Sequence, residues 1–256
     1  MIFLETIAVA LAMYSRIPVP RVEWNDKNMR YALCAFPLVG AIIGLAWYGI
    51  IKLDLPDILR GACLCLTPVI VTGGIHLDGY ADTCDALSSF GDAETKQRIL
   101  SDPHCGAFAV IRLCCYFTAY FALCTALEPT EQAVLCLGTG FVLERALSGL
   151  SVASFPLAKD TGLAHTFAKA ADKSRVKIIL LLLSALIIAL QGLFCGVTGI
   201  VSAAVALIVF GLYRFTSVRE FGGITGDLAG WFLQKCELWQ LAAVVICQII
   251  LRRAVI

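Results

Sequence analysis

The sequence predicts an all-α fold: a polytopic transmembrane helix bundle of about six to seven spans, with room for an N-terminal interfacial helix. Three observations carry this. Of 256 residues, 59% are hydrophobic and 15% charged, where soluble domains carry roughly a quarter. The mean hydropathy is +0.85. The apolar residues gather in runs long enough to cross a ~30 Å hydrocarbon layer, which takes about 20 residues as a helix, and the charges collect between the runs.

Composition also excludes. A net charge of +1 provides no global basic field for nucleic acid. The twelve cysteines form no CxxC pair, and only three histidines accompany them, so a zinc site is not expected. Most of these cysteines lie inside apolar runs and read as small packing residues.

Taken in order, residues 1–14 are apolar apart from Glu5 and lack a basic leader and a cleavage site. They read as an interfacial helix or a short first span rather than a signal peptide. Arg16-Ile17-Pro18-Val19-Pro20 breaks that helix, because two prolines favour extended backbone. Residues 31–51 are the first long span, where Phe36-Pro37, Gly40 and Gly44 predict a kink and a small-residue packing face. Residues 59–77 cross back, and Pro68, Gly73 and Gly74 make the far end irregular. Such backbone is tolerated at membrane depth where it lines a polar cavity. Residues 107–127 and 132–154 are the third and fourth spans, the latter interrupted by Glu144-Arg145. Residues 155–177 form a basic loop, 178–194 a fifth span, 195–199 a turn, and 200–213 the start of a sixth. Residues 214–235 read as a polar, glycine-rich segment, and 238–251 as a final apolar run that is short for a span unless it starts earlier. The whole chain, 1–256, reads as one integral-membrane catalytic domain.

Lysine and arginine enrich short cytoplasmic loops. If 155–177 is cytoplasmic, alternation puts 16–30, 76–105 and 214–237 on the same face and 52–58, 128–131 and 195–199 on the other. Arg252 and Arg253 then fall on the wrong side of a complete last crossing, so that segment is either partly re-entrant or outvoted. Every acidic or glycine-rich motif shares one face. That suits a membrane enzyme better than a transporter, which needs ionisable groups at mid-depth with access from both sides.

The chemistry centres on Gly73-Gly74-Ile75-His76-Leu77-Asp78-Gly79-Tyr80-Ala81-Asp82-Thr83-Cys84-Asp85. On a helix Asp78, Asp82 and Asp85 are i, i+4 and i+7 and share a face. No lysine or arginine lies between Gly61 and Lys96 to neutralise them. A bound divalent cation is the simplest compensation, and Mg²⁺ binds through carboxylates and substrate phosphates. The alternative is a solvated acidic face, although such faces usually mix both signs. Asp227 follows Gly222, Gly223 and Gly226, which let backbone approach a phosphate, or else it caps a turn. The metal candidates are therefore Asp78, Asp82, Asp85 and Asp227, and the catalytic candidates Asp82, Asp85 and His76. Asp102 is a helix cap or a further oxygen ligand, and His104 a structural or proton-transfer group. Arg16, Arg145 and Arg219 are phosphate clamps or snorkelling charges. Gly226, Gln234 and Glu237 complete the substrate-binding candidates together with Arg16, Asp102, His104 and Arg145. A lipid phosphotransferase or prenyltransferase using the same acidic pattern, or a transporter, would share parts of this pattern.

Together these motifs resemble the cobalamin synthase family, the adenosylcobinamide-GDP ribazoletransferases. The resemblance runs through nearly the whole chain: Ser15-Arg16-Ile17-Pro18-Val19-Pro20, Phe36-Pro37-Leu38-Val39-Gly40, the run from Gly73 to Asp85, residues 101–108, and Gly226-Asp227 with Gly230, Gln234 and Glu237. Tyr80 stands where leucine is common and Trp231 where a small residue is common, which bears on the neighbouring pocket. The resemblance implies an Mg²⁺-dependent enzyme of the bacterial inner membrane, its site facing the cytoplasm. It would join adenosylcobinamide-GDP to α-ribazole or its 5′-phosphate, releasing GMP and forming adenosylcobalamin or its 5′-phosphate. The implied partners are those substrates and the lipid bilayer, with no nucleic acid; a homo-oligomer or an association with other cobalamin-assembly enzymes is compatible with it.

Overall fold

Gly73 and Gly74 set the architecture. Both take left-handed backbone, φ 69° and 83°, which glycine adopts without steric cost. They turn the helix ending at Thr72 through 94° into the acidic helix. A computed structural model describes residues 2–255 of the chain, with side chains up to Arg253. The described residues form α1 (Ile2–Tyr14), α2 (Asp26–Met29), α3 (Ala32–Ala35), α4 (Pro37–Ile51), α5 (Asp57–Thr72), α6 (Ile75–Ser88), α7 (Ala93–Ile99), α8 (Ala107–Ala126), α9 (Glu131–Ser154), α10 (Gly162–Ala170), α11 (Lys173–Phe221) and α12 (Gly226–Val255). They contain no strand beyond one isolated bridge, Leu157 to Ile224.

The spans are α3–α4, α5, α8, α9, the two halves of α11, and α12. Helix α11 has 49 residues, which at ~1.5 Å each would far overrun a bilayer if straight. Gly196, at φ 55° and ψ −138°, folds it back. A Cβ on Gly199 would lie 2.0 Å from the Gln191 carbonyl oxygen, so the two halves meet directly at the turn. The lipid-facing sides carry exposed Leu45, Ile70, Leu193 and Ile208. The chain is an integral membrane protein with an all-α polytopic bundle.

Helix α9 is the centre, packed between α4, α11 and α12. The small-residue face expected in the first span is where α4 meets it: a Cβ on Gly40 would stand 2.2 Å from the Phe141 carbonyl oxygen, and one on Gly44 2.9 Å from Gly138 Cα. Phe36 keeps helical backbone, so that span runs on through Pro37.

Two sequence boundaries need correction. Residues 214–221, expected as polar loop, continue α11, and α12 begins at Gly226. The reason is snorkelling: Arg214 lies over the Phe155 ring at 5.3 Å and Arg219 over Phe215 at 5.5 Å, so charged residues ride on a helix end. The last segment therefore crosses completely rather than re-entering. At its far end Arg252 pairs with Glu128 at 2.9 Å, and Gln248 Nε2 donates to the Glu128 carbonyl at 2.8 Å.

The segments predicted to share one face do so. Lys159 Nζ donates to the Gln97 carbonyl at 3.1 Å and to Ser101 Oγ at 2.7 Å. Gln97 donates to the Phe221 carbonyl at 2.7 Å, Lys96 pairs with Glu220 at 2.5 Å, and Arg30 with Asp172 at 2.9 Å. Lys52 and Glu131 pair at 3.3 Å on the opposite face, beside Glu128 and Arg252.

Candidate active site

Two glycines bring the acids together. A Cβ on Gly79 would stand 2.6 Å from Asp227 Cα, and one on Gly230 2.8 Å from the His76 carbonyl oxygen. Only hydrogen at both places lets α6 lie backbone to backbone across the start of α12. Asp227 is thereby delivered to the acidic face of α6. It does not cap α12: Thr225 Oγ1 accepts the Leu228 N–H at 3.2 Å, and the Thr225 hydroxyl lies 3.4 Å from Asp227 Oδ2. Gly226 is exposed beside it.

Asp78 is exposed, and Asp82 and Asp227 are half-buried. Among the described residues none of the ion pairs includes Asp78, Asp82, Asp85 or Asp227. Burial first, then the charges of Asp78, Asp227 and Asp85, push the Asp82 carboxyl up to about 6. Nor do three His, Cys, Asp or Glu side chains form a ready-made metal cage among the described residues. Mg²⁺ binds through one or two carboxylates together with water and phosphate, and the side-chain oxygens of Asp78, Asp82 and Asp227 are donors of that type. The donors are all hard oxygens, and Lys159, whose charge reaches Asp227, forms no ion pair with any of them.

Asp85 stands apart. Its carboxylate occupies the N-terminus of α8, where Oδ1 accepts the Ala109 N–H at 3.4 Å and a Cβ on Gly106 would lie 2.0 Å from Oδ2. Asp85, from α6, therefore serves α8 in the way expected of Asp102. Asp102 instead closes its own turn, accepting from the His104 N–H at 2.9 Å with His104 Nδ1 at 2.7 Å. The His104 side chain is 90% exposed.

His76 is buried, and its Nε2 has no hydrogen-bond partner. Burial, reinforced by the Arg145 charge, pulls its imidazole down to about 3, so the ring stays neutral at physiological pH. Arg16 packs over the bend: its N–H donates to the Val71 carbonyl at 2.8 Å, and a Cβ on Gly73 would meet the Arg16 side chain at 2.2 Å.

Arg145, Gln234 and Glu237 are all buried within the bundle. Arg145 pairs with Glu144 and, at 3.0 Å, with Glu237 of α12, while Gln240 Nε2 donates to Glu144 Oε2 at 3.3 Å. The Arg145 guanidinium is committed to protein carboxylates, so the structure does not bring it to the exposed acids. Glu144, read in the sequence as an interruption, is the partner it needs.

Asp78, Asp227 and His76 line one cavity of about 300 Å³, whose remaining walls come from α1, α3, α9, α10 and α12. Of these wall residues Phe36, Gly226 and Gly230 belong to motifs visible in the sequence, whereas Leu33, Ser148, Val152 and Ala164 are scattered along the chain and gave no sequence signal. A larger open groove of about 720 Å³, between α2 and α10, contains none of the four carboxylates.

Residues 6–245 match the family description of cobalamin-5-phosphate synthase. An adenosylcobinamide-GDP ribazoletransferase of Lachnoclostridium phytofermentans is 42% identical over 96% of this chain and 95% of its own length. Proteins of the same name from Clostridium perfringens and Clostridium botulinum are 34% and 32% identical, over 92% and 91% of this chain and 95% and 93% of theirs. No solved structure matches. With one-face carboxylates, a membrane bundle and full-length likeness in agreement, the chain belongs to the cobalamin-5-phosphate synthase family.

Proposed function

We infer that this chain is a transferase that joins the phospho-cobinamide part of adenosylcobinamide-GDP to a ribose hydroxyl of α-ribazole or its 5′-phosphate. GMP leaves, and adenosylcobalamin or its 5′-phosphate forms. The observation that supports this most is the meeting of Asp78, Asp82 and Asp227, from two helices, at one membrane face, unpaired and beside a cavity. The basic residues Lys159, Lys169, Lys173, Arg175 and Lys177 favour the cytoplasm for that face of a bacterial inner membrane.

Asp78 and Asp227 would hold Mg²⁺, which when bound neutralises charge on phosphoryl oxygens and on the departing phosphate. Asp82 takes the proton of the attacking hydroxyl; burial and the neighbouring carboxylates raise its carboxyl above the ordinary range, which makes it a better proton acceptor. The new bond joins the ribose oxygen to the phosphorus nearest the cobinamide, and the bond from that phosphorus to the GMP oxygen breaks. Asp85 keeps the start of α8 against α6 and thereby the acidic face in place.

The test is purified protein in proteoliposomes with both substrates, with Mg²⁺ or with EDTA. GMP release that needs Mg²⁺ and both substrates is expected. GMP release without the nucleoside, or undiminished in EDTA, refutes the assignment.

A further inference from the structure

The cavity beside Asp78 and Asp227 is lined by two kinds of chemistry. Asp78 is exposed and Asp227 half-buried. Leu33, Phe36, Val152 and Leu233, all buried, make apolar walls. The polar side chains along them are few: Tyr14, buried Ser148, and buried His76 with an unpartnered Nε2. A buried polar atom without a partner is costly, so a ligand that supplies one is favoured. At about 300 Å³ the space suits one bicyclic base and excludes a corrin with its side chains.

Both substrates carry a bicyclic base, and the walls distinguish them. Guanine presents donors and acceptors along two edges, and each would need a partner once buried. The dimethylated benzimidazole of α-ribazole presents one free ring nitrogen and two methyl groups. We propose that this cavity seats the benzimidazole base of the nucleoside acceptor, its methylated edge among the apolar walls and its free ring nitrogen toward His76. The attached ribose then lies toward the carboxylates, where its hydroxyl meets Asp82. This assignment rests on the function inferred above and specifies which substrate occupies which part of the site.

Ala229 on α12 and Ala164 on α10 line the cavity and are only partly buried, so larger side chains there fill it. In proteoliposomes, Ala229→Leu and Ala164→Phe should raise KM for α-ribazole about tenfold or more. KM for the corrinoid nucleotide should stay unchanged. The variants should also come to prefer the α-riboside of unmethylated benzimidazole, reversing the order expected of wild type; a misfolded protein would show no such reversal. A rise confined to the corrinoid nucleotide would place guanine in the cavity and overturn the proposal. Equal rises for both substrates, or none, would overturn it too. If wild-type protein releases no GMP, the inferred reaction fails, and the cavity is judged separately by calorimetry with α-ribazole alone. Binding to wild type that Ala229→Leu abolishes supports the site, and binding indifferent to the substitution rejects it.

Discussion

Asp82 and Asp78 sit four residues apart on one helix, yet their surroundings give them different work. Asp78 is exposed beside the cavity, whereas Asp82 is half-buried among three other carboxylates. The division predicts distinct kinetic signatures. Asp78→Asn and Asp227→Asn should raise the Mg²⁺ concentration for half-maximal turnover about tenfold or more, since on the proposed assignment each removes one of two protein ligands. Asp82→Asn should lower kcat by about 10²–10⁴ with much less change in that concentration, as loss of a general base does. A titration of GMP release against Mg²⁺ separates the two. The sign of the pH effect follows from the raised Asp82 carboxyl. The base must be ionised to work, so turnover should fall as pH drops through about 6. Bound Mg²⁺ favours the ionised form, so raising Mg²⁺ should move that limb to lower pH. A pH–rate profile at two Mg²⁺ concentrations reads both, and an unmoved limb assigns the proton transfer elsewhere.

Between elements, the decisive contacts are made by absent side chains. Gly79→Ala would drive a methyl group to within 2.6 Å of Asp227 Cα, where backbone cannot step aside. Overpacking of this kind costs typically 1–3 kcal/mol, so the variant should melt lower in detergent and lose turnover even though every carboxylate remains. Both readouts are needed, because lost turnover with an unchanged melt would mean that α6 and α12 separate without strain. Gly79 lay in plain view within the acidic run, and the three aspartates could be assigned to one helix face from spacing alone. Spacing could not show that Asp85 points at α8, because the N-terminus it serves lies across a loop. It also hid the partners of Arg145: Glu144 is adjacent, but Glu237 is 92 residues away. The spans were legible because lipid demands long apolar helices. The end of α11 and the start of α12 were not, since arginines lying over aromatic rings make a helix read as loop.

Across the whole molecule, charge at mid-depth and charge at the face serve different ends. The Glu144–Arg145–Glu237 cluster is fully enclosed, and the cavity beside it, about 10 Å³, holds at most about one water. It ties α9 to α12. Breaking a buried pair costs about 3–5 kcal/mol. Arg145→Met should therefore lower the melting temperature markedly in detergent, and a variant as stable as wild type would show the cluster to be dispensable for the bundle. The exposed carboxylates carry a different prediction, one of sidedness. Cys105 is exposed on the loop that joins α7 to α8, on the carboxylate-bearing face. On the function proposed above that face is cytoplasmic, the side that basic loops favour. In a variant keeping Cys105 as its sole cysteine, an impermeant maleimide should label inside-out vesicles and spare right-side-out ones. Labelling in the reverse orientation would put the acids outside, away from a cytoplasmic supply of the nucleotide, even if GMP release in detergent were intact.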